Sequence, residues 1–206
     1  MLVTELVDHV RTEVLRDIQS PQLFSNEALV AYLNEGLAHM ARKTHVFTDQ
    51  FELTTVGGQR RYDLETTTIF VISATYPNGR ALAPFTRRVK PYIWTGRPTA
   101  YSMDSAQRRM TLHPTPDDEY ELLITRAIKP DALMEASEIP LPDDQAMLLG
   151  EWMTYRALRN NDPDGSDTVA ADQFYESWLE GLRDMKREGV RFLVGDNPSA
   201  HPRRWT

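Results

Sequence analysis

The sequence predicts an α+β fold. It has a four-helix core, built from two N-terminal and two C-terminal helices, with an inserted antiparallel β domain and an extended C-terminal tail. Three observations carry this reading. Apolar residues recur at helical spacing near both ends of the chain. Between about residues 46 and 130 the period falls to two, with turn residues between the runs. After Val190 the chain holds Gly195, Pro198 and Pro202, which oppose a helix. The expected boundaries are 1–45 and 136–189 for the two halves of the helical core, 46–135 for the β domain and 190–206 for the tail.

The first helix is expected over 2–18, where Leu2, Leu6, Val10, Val14 and Ile18 share one stripe and Ser20-Pro21 ends it. A second helix starts at Ser25, a good N-cap, with Phe24 and Leu29 in the two positions of a hydrophobic staple. Its apolar face runs Leu29, Tyr32, Leu33, Gly36, Leu37, Met40. A glycine inside that face predicts close helix packing rather than a break. The stretch FELTTVGGQRRYDL, residues 51–64, reads as a hairpin: Phe51, Leu53 and Thr55 on one strand, a turn on Gly57-Gly58, and Tyr62 and Leu64 on the return. IFVIS at 69–73 reads as a strand buried on both faces. Tyr101 and Met103 with Met110 and Leu112 form a further hairpin around Ser105-Ala106, and Tyr120 to Ile128 gives the last of roughly six strands. Helical period returns at 142–160, with Pro142 at the first position and Leu148, Trp152, Tyr155 and Arg159 on one face. The last helix spans about 166–188, with Phe174, Trp178, Leu182 and Met185 in line.

Composition narrows the chemistry. The chain has 206 residues, 41% hydrophobic and 26% charged, with no cysteine. Disulfides, thiolate nucleophiles and zinc–thiolate sites are therefore excluded. No basic segment leads into an apolar block, and no apolar stretch is long enough to span a bilayer, so neither secretion by an ordinary signal nor membrane insertion is expected. The formal net charge is −7, which opposes a dedicated DNA grip. The charge is uneven: residues 51–130 hold 11 Lys/Arg against 8 Asp/Glu, and the rest is acidic. Two electrically different ends favour self-association or a complementary partner.

No HExxH pair, Gly-x-Ser-x-Gly elbow or phosphate-cradling glycine loop is present. NNDPDGSD at 160–167 places Asn160, Asp162, Asp164 and Gly165 as in the first half of a calcium loop, but Ala171 stands where the bidentate glutamate belongs. It reads as a capping-rich turn between helices. A small metal-dependent hydrolase using Asp162 and Asp164 is the rival reading. His9, His39, His45, His113 and His201 show no ligand spacing and read as surface or packing residues. Asp117-Asp118 and Asp143-Asp144 are adjacent in sequence, so their side chains diverge and neither looks like an acid–base pair. The arginine pairs Arg60-Arg61, Arg87-Arg88 and Arg108-Arg109 all fall in the β domain, as solubilising charge or as an interaction surface. A DNA-binding module using these pairs is a third reading, against which the interleaved aromatics of single-strand binders are absent.

Taken in order, YLNEGLAHMAR, FELTTVGGQRRYDL, PTAYSMD…RRMTLHPTP and EWMTYRALRNNDPDG resemble the head-to-tail adaptor (connector) proteins of tailed bacteriophages, the portal-ring adaptor family, over residues 2–188. The resemblance implies a structural, non-enzymatic virion protein without cofactor or metal. It implies a homo-oligomeric ring, a dodecamer, in the neck between capsid and tail, assembled in the host cytoplasm. Its partners would be the portal protein, a tail nozzle or other tail protein, and double-stranded DNA passing through the channel without specific binding, with no membrane. On this reading Arg60, Arg61, Arg87, Arg88, Arg108 and Arg109 are partner-interface candidates. So are Phe192, Arg203, Arg204 and Trp205 in the tail, where a tryptophan beside two arginines suits an interface anchor.

Overall fold

A computed structural model describes residues 1–20, 22–85, 94–160 and 168–194. The chain divides into two compact units, Met1–Val46 with Asp131–Thr206, and Phe47–Pro130. The first is helical and the second is β.

In the helical unit, α1 spans Val3–His9 and buries Val3, Leu6 and Val7. The Glu5 carboxylate accepts from the Leu2 N–H at its start, at 2.7 Å. The helix widens into a π-helical segment, Val10–Leu15, and stops at Arg16, whose φ is 52°. The expected stripe to residue 18 is thus cut short, and Ile18 is 73% exposed. Two buried charges explain the stop. The Asp17 carboxylate accepts from the N–H groups of Leu23 and Phe24, and Arg11 donates to the Phe24 carbonyl and Asn26 Oδ1. Satisfying those ions costs Asp17 its place in a helix.

Helix α2, Asn26–Thr44, begins as expected, with Ser25 Oγ accepting from the Ala28 N–H and with Phe24 and Leu29 buried. Gly36 does allow close packing: a Cβ there would lie 2.8 Å from Trp152 Cδ1. Helix α3 is Asp143–Asn160. Pro142 stands before it as the cap, its carbonyl accepting from the Ala146 N–H. The buried face of α3 is Ala146, Leu149, Met153 and Ala157 with Trp152, broader than the Leu148–Arg159 stripe. The reason is that α3 packs against α2, the fourth helix and the N-terminal helical segment at once. That fourth helix, α4, runs Thr168–Val194 and buries Ala171, Trp178, Leu182 and Met185. It passes the expected end near 188, so the extended tail cannot begin at 190, and Phe192 is helical. One glycine, Gly189, costs a helix only about 1 kcal/mol and does not stop it; the next breaker in sequence is Gly195.

In the β unit the strands are β1 (Thr48–Thr54), β2 (Arg61–Asp63), β3 (Thr68–Thr75), β4 (Ala83–Pro84), β5 (Ala100–Asp104), β6 (Arg109–His113) and β7 (Glu121–Ile128). They form two sheets, in the orders β1-β7-β3 and β2-β6-β5-β4. All pairs are antiparallel except the short β4–β5 pair. The hairpin around Ser105-Ala106 forms as expected, pairing Tyr101 with Leu112 and Met103 with Met110.

Residues 51–64 do not form a hairpin. β1 pairs with β7 and β2 with β6, so the stretch crosses from one sheet to the other. Its glycines serve a close passage beside the β6–β7 connection. The Gly58 N–H, at φ 80°, donates to the Pro116 carbonyl at 2.8 Å, and a Cβ on Gly57 would lie 3.1 Å from the Asp117 carbonyl oxygen. Thr55, fully buried, ties the crossing down: its Oγ1 donates to the Asp118 carbonyl and accepts from the Tyr120 N–H. Nor is β3 buried on both faces. Register shifts at Thr68/Phe70 and Val71/Ser73 re-aim its side chains, and Phe70 is 44% exposed while Val71 and Ala74 are buried. The core of this unit lies between the sheets, around Tyr62, Val71, Tyr101, Met110, Leu112 and Ile124.

Candidate functional site

The paired arginines take different roles. Arg60 Nη2 is 2.9 Å from His113 Nδ1. Arg61 is exposed on β2, opposite Thr111. Arg108 is exposed at φ 49° in the β5–β6 turn. Arg109 donates to Asp63 Oδ1 at 2.7 Å and to Gln107. The two described pairs therefore do not converge on one site. Arg87, Arg88, Arg203, Arg204 and Trp205 lie outside the described residues, as does the calcium-like loop after Asn160. Phe192 lies within α4, in a stretch whose side chains are not described. Among the described residues no group of three or more His, Cys, Asp or Glu is placed to hold a metal ion. No described helix is long and apolar enough to cross a membrane.

Long-range pairing builds one cluster with the look of catalysis. His113, only 3% exposed, sits between Arg60 and Ser102, whose Oγ is 3.0 Å from Nε2, with the Phe85 ring stacked at 4.2 Å. It borders a groove of about 580 Å³ that also meets Phe70, Tyr101 and Thr111. A serine nucleophile needs a histidine nitrogen free to accept its proton. Here the guanidinium can only donate, so Nδ1 is the acceptor and the ring proton sits on Nε2, donating to Ser102. The arrangement is the reverse of an activated serine. Burial first, and the Arg60 charge second, hold the His113 pKa below its ordinary value.

That shift predicts a pH effect. A buried histidine with a lowered pKa contributes stability above its unfolded value, about 6.5, and loses it as pH falls toward the folded value. Stability should therefore drop on acidification below about pH 6.5. His113→Gln should flatten part of that slope, read by urea denaturation between pH 7.5 and 5. His39 and His45, also lowered chiefly by burial, add to the same slope.

Other clusters escape sequence reading. Arg126 on β7 donates to Asp49, Glu65 and Thr68 and lies over the Phe51 ring at 4.7 Å. Arg97 stacks on Tyr76 at 4.2 Å and near Tyr120 at 5.6 Å, beside a smaller cleft that includes Glu119 and Glu121. Neither arginine belongs to a pair, and their partners are distant in sequence. The only local signal is an arginine within an apolar strand for Arg126.

Comparison with known proteins gives three results. No curated protein matches the chain. Among solved structures, a chain described as "Neck of empty GTA particle computed with C6 symmetry" is 18% identical, with 75% of this chain and 76% of that one covered. Its TM-score is 0.28, too low to argue a shared fold. The model of the family described as SU10 adaptor protein matches residues 1–201. That match agrees with the adaptor resemblance read from the sequence, and it spans almost the whole chain: the chain belongs to the SU10 adaptor protein family.

Proposed function

We propose that the chain is a structural virion protein, an adaptor that forms a ring between the capsid portal and the tail and lines the channel for DNA. Family membership over residues 1–201 is the observation that carries this reading. The acidic balance of −7 supports it. Basic linings release counterions and hold phosphates, whereas an acidic wall lets a duplex slide. The Ser102–His113 contact, with the ring proton turned toward the serine, gives an enzyme reading no support. In the ring, the exposed Arg61 and Arg108 are candidate subunit or partner contacts, and Arg203, Arg204 and Trp205 anchor the C-terminal segment to a neighbour.

The test is assembly on the portal. The purified chain alone should sediment as a monomer or weak oligomer. Mixed with its portal protein it should form a ring of fixed stoichiometry, twelve copies on this reading, visible by electron microscopy. Failure to see a ring on the portal would sink the proposal. Calcium, magnesium and zinc should leave the melting temperature unchanged, because a true metal site stabilises the fold by mass action. Double-stranded DNA should bind no tighter than the micromolar range at physiological salt.

A further inference from the structure

Among the described residues, nothing pairs with the outer edge of β1. In the β1–β7 ladder the odd-numbered residues face β7: the Phe47 carbonyl accepts from the Ile128 N–H at 2.9 Å, and the Thr55 N–H donates to the Tyr120 carbonyl at 2.8 Å. A residue in an antiparallel ladder turns both backbone groups to one neighbour, and the next residue turns both away. The N–H and C=O groups of Thr48, Gln50, Glu52 and Thr54 therefore point out of the sheet, where no described strand pairs with them. One of them is capped locally, the Gln50 N–H on the Asp49 carboxylate at 2.7 Å. The strand has neither the proline nor the lysine that commonly blunts an edge. Phe51 and Leu53 are half-buried at the margin of the core, and Glu52 is exposed.

The chain after Val194 has twelve residues, GDNPSAHPRRWT, and its sequence suits that edge. Pro198 and Pro202 are four apart. Backbone groups alternate sides along a strand, so both missing N–H groups fall on the same side. The N–H groups of residues 197, 199, 201, 203 and 205 all remain for the other side. Each proline also biases the residue before it, Asn197 or His201, toward extended backbone. Proline is tolerated in a sheet only at an edge, where it also blocks further strands. At about 3.3 Å per residue, nine residues cover the seven of β1. Arg203 and Arg204 complement Asp49 and Glu52. In antiparallel pairing the odd-numbered tail residues lie opposite the even-numbered residues of β1, which puts Arg203 on the face of Glu52 and Arg204 on that of Asp49.

We propose that residues 197–205 of one copy add as a strand to the β1 edge of a second copy. This rests on the ring reading above: donation from one subunit to the next is a heterologous contact, which closes into a ring when its rotation allows.

A cysteine-free chain makes the test clean. Full-length Gln50→Cys and Thr206→Cys variants are mixed at high concentration, with and without portal protein, and treated with a short bis-maleimide. The linked pair should exceed a control pair, Gln50→Cys with Glu176→Cys, at least about fivefold. Placed in the Thr206→Cys chain, His201→Pro removes an N–H on the pairing side and should lower the yield about fivefold or more, whereas Ala200→Pro should change it less than about twofold. No excess over the control under either condition overturns the proposal. So do equal effects of the two prolines. If the link and its proline pattern appear but electron microscopy shows open chains of variable length, the strand addition stands and the ring reading fails. A closed ring without the link is the converse.

Discussion

Trp178→Ala should destabilise the helical unit by about 3–5 kcal/mol, the cost of removing a fully buried large aromatic, measured by denaturant unfolding followed by circular dichroism. Trp178 is 0% exposed on α4, with ring centroids 5.5 Å from Trp152 and 6.0 Å from His39. Its Nε1–H donates to His39 Nδ1 at 3.2 Å, so truncation leaves both a cavity and an unpaired imidazole nitrogen. Trp178→Phe separates the two. It keeps much of the volume and loses the donor, and should cost about 1–3 kcal/mol. A loss for Trp178→Ala below about 1.5 kcal/mol would mean that α2, α3 and α4 close over the gap, and that the aromatic cluster is not the centre of this unit.

Arg126→Met should cost the β unit about 2–4 kcal/mol. Removing one partner of a buried ion pair strands the others, and here the exposure of the two acids reduces the loss. Arg126 is 4% exposed, while Asp49 and Glu65 are 43% and 69% exposed at the side chain. The hydrogen bond from Arg126, then that from the Gln50 N–H, pulls the Asp49 pKa below its ordinary value. A lowered carboxylate contributes stability above its unfolded pKa of about 4 and loses it as pH falls through the folded value. Wild type should therefore weaken on acidification below about pH 4 more steeply than Arg126→Met. Parallel acid limbs in the two proteins would show that Arg126 does not hold Asp49.

Local patterns in the sequence were legible and distant partnerships were not. The N-cap at Ser25, the stripe of α2 and the close packing at Gly36 follow from spacing within a few residues. The β5–β6 hairpin is equally local. Gly57-Gly58 suits a hairpin turn and a close passage equally well, and the choice is made by β7 and β6, whose residues lie far along the chain. Asp17 continues the helical pattern on paper, yet its carboxylate is taken by Leu23 and Phe24. The expected helix end near 188 falls short of the first breaker, Gly195, and the helix runs on to Val194. At the candidate site, adjacency of two arginines said little about where each points: Arg60 turns to a histidine 53 positions away, while Arg61 stays exposed. The family was legible because it rests on the order of several local patterns, which a family match preserves.

The hydrogen bond between Phe47 and Ile128 has a consequence for how the two units depend on each other. It brings the chain's way into the β unit beside its way out, across roughly eighty residues. While the β unit is folded, the helical unit is bridged between α2 and α3 by what amounts to a short loop. If the β unit melts, the same bridge becomes a long flexible one, and closing it costs the helices about 2–3 kcal/mol more in chain entropy. The two units are thereby linked thermodynamically without needing to touch. Damage to the strands lowers the melting point of the helices, and the β unit, once formed, acts as a clasp that shortens the search by which α1 and α2 find α3 and α4.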